Sequence, residues 1–482
     1  MLAIQKKLSN SFFMLLSLPA TAMGFALSIQ ISALSWILST KYNLKIDEVG
    51  LVWAAGPIAG ILGQVIIGVI SDNVWLWNGR RRPFILIGGF LAAIMLLSLP
   101  NIDIISSSLG FGGILGVAIA VALTLDLAIN ISFNPTRSII ADVTPEGIER
   151  TKGYTWMQSV SGTFGVLAYV IGAVWDNYVL IYTGVFLVLF LSLIPPFFIT
   201  EPKELKQNLN NDPQEKVKTS FLEILKYIEP LWGFLIYAVY AIIARLINYH
   251  PASYLAEIIC FAITLIFILK TLLKKSEGED KIQKGIISFK KILAAHSFTW
   301  IGIQTMFVYM FAYVQFKVFD YSGDSKIPDE VNLQMGRIVT ISFLIFNAVA
   351  AVLPAMVLEP ITRKIGRVKT HFICISSMAI GYALMLFFGF SATIIYIIMA
   401  VLGIGWSSTI SLPFAIMSQQ IDQRRMGLFM GLFNLSVVLP QMVASFGVGQ
   451  AVNAASDKSL IFIISTLTLT LSAFLWTMVK ED

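Results

Sequence analysis

Residues 68–83 read Gly-Val-Ile-Ser-Asp-Asn-Val-Trp-Leu-Trp-Asn-Gly-Arg-Arg-Arg-Pro, a short polar stretch between two long apolar runs. It holds one carboxylate, Asp72, and three consecutive cations, Arg80, Arg81 and Arg82. Lys and Arg in short loops beside membrane helices are retained on the cytoplasmic side. The stretch therefore reads as a cytoplasmic loop joining two membrane spans, and the rest of the chain can be placed relative to it.

The composition agrees. Of 482 residues, 57% are hydrophobic and 13% charged, whereas a soluble domain carries about 25% charged residues. Apolar runs of roughly 20 residues, each long enough to cross a bilayer as a helix, recur throughout. The sequence describes an all-α polytopic membrane protein. The net charge of +6 comes from short loops, so it reflects topology rather than a nucleic-acid partner. Cys260 and Cys374 both lie in apolar segments and are expected to pack rather than to cross-link. The first apolar run, 12–38, is too long for a signal-peptide core and is expected to stay as the first helix.

In order, Lys6 and Lys7 put the N-terminus inside. Spans are expected at 12–38, 49–71, 84–100, 110–134, 153–175 and 179–199. A polar linker follows at 201–220, then two apolar segments, 231–247 and 252–273, parted by four residues, Asn248 to Pro251. These read as an inserted hairpin, with Arg245 and Glu257 near its ends, either paired with each other or with Arg245 snorkelling to the interface. A basic linker at 274–291 precedes spans at 297–317, 336–358, 369–389, 392–415, 427–450 and 459–479. The expected organisation is a six-helix half over 1–200, central cytoplasmic linkers with the hairpin (231–273) over 201–291, and a second six-helix half over 292–482. That makes twelve helices plus two, with both termini cytoplasmic.

An internal repeat supports two halves. Asp72 lies seven residues before Gly79-Arg80, and Glu359 lies seven before Gly366-Arg367. Arg150-Thr-Lys-Gly153 has the spacing of Arg424-Arg-Met-Gly427. Repeated halves with a central linker mark a rocking transporter whose substrate site is at the midplane. Asp72 is expected near the start of the helix at 427, where the partial positive charge of a helix N-terminus favours a carboxylate. On this reading Gly68, Asp72, Gly79 and Arg80–Arg82, with Glu359, Gly366 and Arg367, form a conformational gate. On the other reading these charges set only topology and solubility.

Asp126 lies deep in the fourth expected span, and an ionisable residue at that depth is by default functional. Asn130, Asn134 and Arg137 follow it on one helical stripe. Low dielectric disfavours a charged carboxylate, so Asp126 can serve as a proton carrier; the alternative is a structural Asp held by polar neighbours. Other polar groups at membrane depth are Gln30, Gln64, Gln158, Gln304, Asn347, Asn434 and Gln441, with Trp36, Trp53, Trp156, Trp300 and Trp406 in or near the same helices. Amides that bond hydroxyls, beside aromatic faces, suit a carbohydrate site. The leading candidates are Asn130, then Gln30 and Gln158, then Trp53, Asn434 and Gln441. Each has a plainer alternative, since a lone amide often bonds a neighbouring helix and a Trp near a helix end often anchors at the interface.

Gly68, Asp72, Gly79 and Arg80 resemble the loop between helices 2 and 3 of the major facilitator superfamily. Several longer stretches are similar to sucrose-transporter-like members, within or near the glycoside–pentoside–hexuronide:cation symporter group. They are Ser71-Asp72 followed by Gly79-Arg-Arg-Arg-Pro-Phe-Ile; Trp53-Ala-Ala-Gly-Pro-Ile-Ala-Gly60 followed by Gln64; Leu125-Asp126 through Asn130, Asn134-Pro135-Thr-Arg137 and Ala141-Asp142; Ser411-Leu-Pro-Phe-Ala; and Gly431-Leu-Phe-Asn434 to Pro440-Gln441. The likeness covers both halves but not 221–275. It implies the major facilitator fold and proton-coupled uptake of a sugar, such as sucrose or maltose. It also implies that the helix 4 Asp carries the proton, that Arg137 and Asp142 belong to the conformational machinery, that no organic cofactor is needed, and that the unit is a monomer. Three departures stand out: no histidine in 39–48, no charge in 154–175, and the extra hairpin. The Ile-, Lys- and Asn-rich composition fits a bacterial cytoplasmic-membrane protein. The alternative is a transporter or exporter of another small solute on the same fold. An enzyme is not expected: there is no His-Glu-x-x-His or Gly-x-x-x-x-Gly-Lys, and His250, His296 and His371 are scattered.

Overall fold

The structure is a computed structural model that describes residues 3–60, 74–110, 113–145, 148–202, 220–247, 249, 254–274, 281–321, 327–353, 357–421 and 426–480. Among these the chain is helical, and 11 helices are long and apolar enough to cross a membrane. We number the helices α1 (Asn10–Thr40), α2 (Ile46–Trp53), α3 (Arg82–Ser108), α4 (Ile114–Val143), α5 (Ile148–Val174), α6 (Asn177–Phe198), α7 (Phe221–Tyr227), α8 (Trp232–Leu246) and α9 (Leu255–Leu273). They continue as α10 (Lys281–Tyr313), α11 (Asp329–Leu353), α12 (Glu359–Ile365), α13 (Arg367–Phe388), α14 (Ala392–Met417), α15 (Met426–Val443) and α16 (Leu460–Trp476). The hairpin helix α8 has 15 residues and α16 has 17. The expected span at 49–71 runs into 61–73, outside the described residues, so the count of twelve plus two is not closed.

Local chemistry sets several helix ends. Ser9 and Asp176 accept from the backbone N–H of Phe12 and Val179, at 3.3 and 2.8 Å, as N-caps do. Pro83 sits in the first turn of α3, where its missing N–H removes nothing. Two boundaries differ from expectation. Helix α4 continues through Pro135 to Val143, because a membrane helix tolerates a proline whose freed groups are satisfied locally. Helix α10 starts at Lys281, within the stretch that reads as a linker in the sequence. Its first turns are amphipathic, burying Phe289 and Ile292 while Lys284 stays exposed.

Two compact units emerge. The first comprises 1–44, 55–217 and 327–344; the second comprises 45–54, 218–326 and 345–482. In the first, α1 packs on α5 and α6, and α3 on α4 and α6. In the second, α10 packs on α15 and α16, and α13 on α14 and α16. These are the same four pairings in the same order, so the sequence repeat is also a packing repeat. The hairpin belongs to the second unit. Helix α8 packs on α15, and Glu229, just before α8, bridges Lys270 of α9 (2.5 Å) and Lys290 of α10 (2.9 Å). Burial pushes the Glu229 carboxyl up, but hydrogen bonds from Lys270 and Lys290 and their charges hold it below its ordinary value.

Among the described residues, full π turns include Gln30–Leu34 in α1, Val314–Val318 after α10, and Ala444–Val448 after α15. A π turn disturbs the regular backbone ladder, and such turns concentrate at functional sites. At the last of them, the Tyr309 hydroxyl is shared between the carbonyls of Ala444 (3.1 Å) and Ser445 (3.2 Å). Helix α2 packs against this point so closely that a Cβ on Gly50 would collide with the Tyr309 hydroxyl.

The repeated glycines serve different ends. Gly366 opens α13 with φ 87° and ψ 160°, a conformation open essentially to glycine. We expect Gly366→Ala to cost about 1–3 kcal/mol, read as a lower thermal midpoint in detergent. Gly79 has no positive φ, and the reason for a glycine there is steric.

Candidate functional site

The loop that organises the sequence is a tight turn. Leu76 and Gly79 exchange both backbone hydrogen bonds at 3.0 Å, and the two residues between them, Trp77 and Asn78, have φ of 48° and 59°. Positive φ at both central positions is the signature of a type I′ turn. The arginine triplet beyond the turn is built around Glu201. The Glu201 carboxylate accepts from the backbone N–H of Arg80, Arg81 and Arg82, each at 2.8 Å. These groups lie at the start of α3, where N–H groups lack helical partners and the dipole favours an anion. A Cβ on Gly79 would stand 2.5 Å from the Glu201 carboxylate oxygen, so only glycine lets the turn close on it.

The three arginines divide their work. Arg81 donates through Nε to Asp142 at 3.0 Å, with both side chains at or below 10% exposure. Arg82 donates to the Ile199 carbonyl at 2.6 Å and lies over the Phe197 ring. Glu201 reads in the sequence as the opening of a polar linker. It is instead the anion that holds the motif, and neither its role nor its partners can be read from local spacing. Its neighbour Thr200 is fixed by Gln5, whose amide donates to the Thr200 carbonyl and accepts from its N–H, at 2.8 and 3.0 Å. Gly68, Asp72 and Gln64 lie outside the described residues, as does the side chain of Glu359, so the expected placement of Asp72 has no counterpart among them. Arg367 is half-buried at the start of α13.

In the first unit the second centre is Asp126. It is 5% exposed on α4, and Gln30, 4% exposed on α1, donates to its Oδ2 at 3.0 Å. Gln30 also begins the π turn of α1. From the segment following α2, Gly56 leaves its face open to the carboxylate: an added Cβ would lie 3.4 Å from Oδ2. Three segments thus meet on one carboxyl group, and among the described residues no Lys or Arg forms an ion pair with it. Such a group is neutralised at least cost by a proton or an arriving cation. We expect Gly56→Val to fold but to push the carboxyl off Gln30. In proteoliposome uptake, the affinity for substrate then weakens more than the maximal exchange rate.

The expected stripe on α4 is not uniform. Asn130 is half-buried and donates back to the Asp126 carbonyl at 2.8 Å. Arg137 is exposed, with its guanidinium 4.1 Å from the Phe133 ring centre. The side chain of Asn134 is outside the described residues. On α5, Gln158 is exposed together with Ser159, Gly162 and Thr163. A polar face exposed at membrane depth belongs beside water rather than lipid.

The remaining candidates do not join this centre. Trp53 is buried, and its segment counts with the second unit. Asn434 and Gln441, on α15, also lie in the second unit. There Gln441 donates to Gln304 at 3.2 Å, and Asn434 is half-buried. The second unit assembles a grouping that the sequence alone does not single out. Trp406 donates to the Asn347 side-chain oxygen at 3.2 Å, stacks on Phe346 at 5.6 Å, and meets Trp300 and Phe307 edge-on at 5.9 and 5.4 Å. Trp300, Trp406 and Asn347 are all partly exposed. The signal available in the sequence is the spacing of Trp300, Gln304 and Phe307, which share one face of α10.

The chain is similar to known proteins. The family model described as Major Facilitator Superfamily matches residues 16–445. The chain is 24% identical over 485 residues to the sucrose transport protein SUC4 of Arabidopsis thaliana, covering 92% of this chain and 85% of that protein. A shorter stretch of 174 residues is 27% identical to the general alpha-glucoside permease of Schizosaccharomyces pombe, spanning 32% of this chain and 31% of that one. Among solved structures, the inward-open xylose transporter XylE from E. coli superposes with a TM-score of 0.58 at 16% identity, covering 98% of this chain and 96% of that one. The nucleoside transporter NupG does so with a TM-score of 0.58 at 12% identity, covering 98% and 100%. At these identities the structures speak to the fold alone. The multi-pass helical architecture, the repeated packing and a family match across most of the sequence place the chain in one group: it belongs to the Major Facilitator Superfamily.

Proposed function

We propose that this protein is a proton-coupled sugar symporter that works by alternating access, with a disaccharide such as sucrose or maltose as its cargo. The observation that carries the reading is Asp126: a buried carboxyl group with an amide donor, no ion-paired cation among the described residues, and a π turn at its donor. Protonation neutralises it. Deprotonation leaves a carboxylate that draws more strongly on Gln30, because hydrogen bonds to charged groups are stronger than neutral ones. That difference is what a coupling site needs. Two relatives whose names refer to sucrose and alpha-glucosides support a sugar as the cargo. So do the partly exposed indoles of Trp300 and Trp406 beside Asn347, because aromatic faces and amides are what a hydroxyl-rich solute binds. Gln158 on the exposed polar face of α5 is the first-unit candidate for the same work, and Asn130, Trp53, Asn434 and Gln441 are lesser ones.

On this reading the coupling ion is a proton, no organic cofactor takes part, and the transporter acts as a monomer in a bacterial cytoplasmic membrane with both termini inside. Arg137, Asp142, Glu359, Gly366 and Arg367, with the 68–82 loop, act in the conformational change. The test is uptake of labelled sucrose, maltose and glucose into proteoliposomes with and without an inward proton gradient. Accumulation of one sugar only when the gradient is present supports symport. Uptake that ignores the gradient, or is driven by sodium instead, sinks proton coupling. Uptake of none of the three turns the search to another solute.

A further inference from the structure

The inserted hairpin encloses a cavity of about 300 Å³ against α15 and α16. Its walls are almost wholly apolar, with Phe234 and Tyr237 from α8, Phe261 from α9, and Val443 and Gly447 from α15 and its π turn. One acidic side chain breaks the pattern. Glu257, in the first turn of α9, lines the cavity, and its Oε2 is buried with no hydrogen-bond partner. At the matching end of α8, Arg245 donates only weakly, to the Ala241 carbonyl at 3.3 Å, and lies over the Phe446 ring at 4.3 Å. Among the described residues Arg245 and Glu257 form no ion pair, and Tyr237 and Asp47 act on Arg245 as well.

The depth and the opening of the cavity are also fixed. Tyr249 and Tyr254, at the hairpin turn, are 55% and 57% exposed, and exposed tyrosines at a span's end mark headgroup level. Glu257 lies three residues beyond Tyr254, so its carboxylate is just below that level. The cavity continues down α9 as far as Thr264, about 10 Å deeper at 1.5 Å per residue. Ile258 and Ile259, beside it, are 62% and 50% exposed and are apolar, so this face meets lipid and not water.

We propose that this cavity binds one phospholipid with a primary-amine headgroup. An acyl chain fills the apolar part, and the ammonium donates to Glu257. The unpartnered oxygen decides the class. It needs a donor hydrogen, and one carried on a cation gives the stronger bond; phosphatidylethanolamine has such a donor and phosphatidylcholine lacks one. A phosphatidylglycerol headgroup brings no cation for Glu257. The hairpin, the feature that sets this chain apart from the family pattern, then acquires a role as a lipid clasp.

The test uses the full-length chain in detergent and native mass spectrometry. The probes are dioleoyl phosphatidylethanolamine, its N-methyl and N,N-dimethyl forms, dioleoyl phosphatidylcholine and dioleoyl phosphatidylglycerol, at matched ratios. The expected result is retention of the ethanolamine lipid about tenfold over choline, the worth of one charge-assisted hydrogen bond, falling stepwise with methylation. Glu257→Gln is expected to erase the preference, and Ala451→Phe, which fills the cavity from α15's continuation, to reduce binding of every probe. Equal retention of all the headgroups by the native chain overturns the proposal, as does tighter binding of phosphatidylglycerol or a preference that survives in Glu257→Gln. The methylation series on the native chain decides the matter even where a variant fails to fold.

Discussion

Asp126→Asn is expected to abolish gradient-driven accumulation of the substrate sugar while leaving counterflow exchange close to the native rate. The substitution is nearly isosteric, and the Asn side-chain oxygen still accepts from Gln30, which approaches Asp126 at 3.0 Å. The open face left by Gly56 is kept as well. Only the capacity to exchange a proton is removed. With one proton per sugar, each unit of pH gradient supports about tenfold accumulation, the ratio set by about 1.4 kcal/mol; in the variant the ratio falls to about one. Exchange survives because it needs the loaded carrier to reorient and not to deprotonate. The variant also stands in for the protonated state, so its exchange is expected to lose the pH dependence of the native chain. Accumulation that persists in Asp126→Asn makes this residue structural and sends the coupling role elsewhere.

The residues that define this site are legible in the sequence to different degrees. Asp126 is legible because a carboxylate at membrane depth is rare for energetic reasons that any sequence exposes. Its donor is not, since Gln30 lies 96 positions away and nothing in local periodicity joins them. Asn130 is legible by position but not by partner. It lies one turn beyond Asp126, and at that spacing its amide reaches the carbonyl of the preceding turn. The membrane architecture is plain from the apolar runs. The helix ends are less plain, because Pro135 and the lysines before Phe289 mimic stop signals that a long membrane helix can absorb. The aromatic group around Trp406 requires three helices to be placed together, and a single indole in the sequence does not carry that information.

Glu201→Ala is expected to be the most damaging single change to the fold outside the Asp126 centre. The carboxylate it removes is 6% exposed and satisfies three consecutive backbone donors at the start of α3. Hydrogen bonds to a charged group contribute roughly 1.5–3 kcal/mol each, and they do not add fully because they share one acceptor group. A loss of about 3–5 kcal/mol is therefore expected, the range seen when one partner of a buried charged network is removed. Glu201→Gln separates charge from shape: its amide keeps one acceptor but sets an NH2 against a backbone N–H, so it recovers less than half of the loss. Arg81→Leu makes an independent cut in the same region by leaving Asp142 buried and unpaired. Asp142→Asn in that background is expected to restore stability, because the stranded charge is the larger part of the damage. Thermal unfolding of the purified variants in one detergent gives all four values. A Glu201→Ala protein as stable as the native chain would show that solvent or the linker replaces the anion. The arginine triplet would then return to the plainer role of setting topology. If instead the variants fall in the expected order, the loop that reads as a row of topogenic charges is a folded unit. It is then held at its centre by an acid from the far end of α6, and the glycine before the arginines is there so that the acid can reach them.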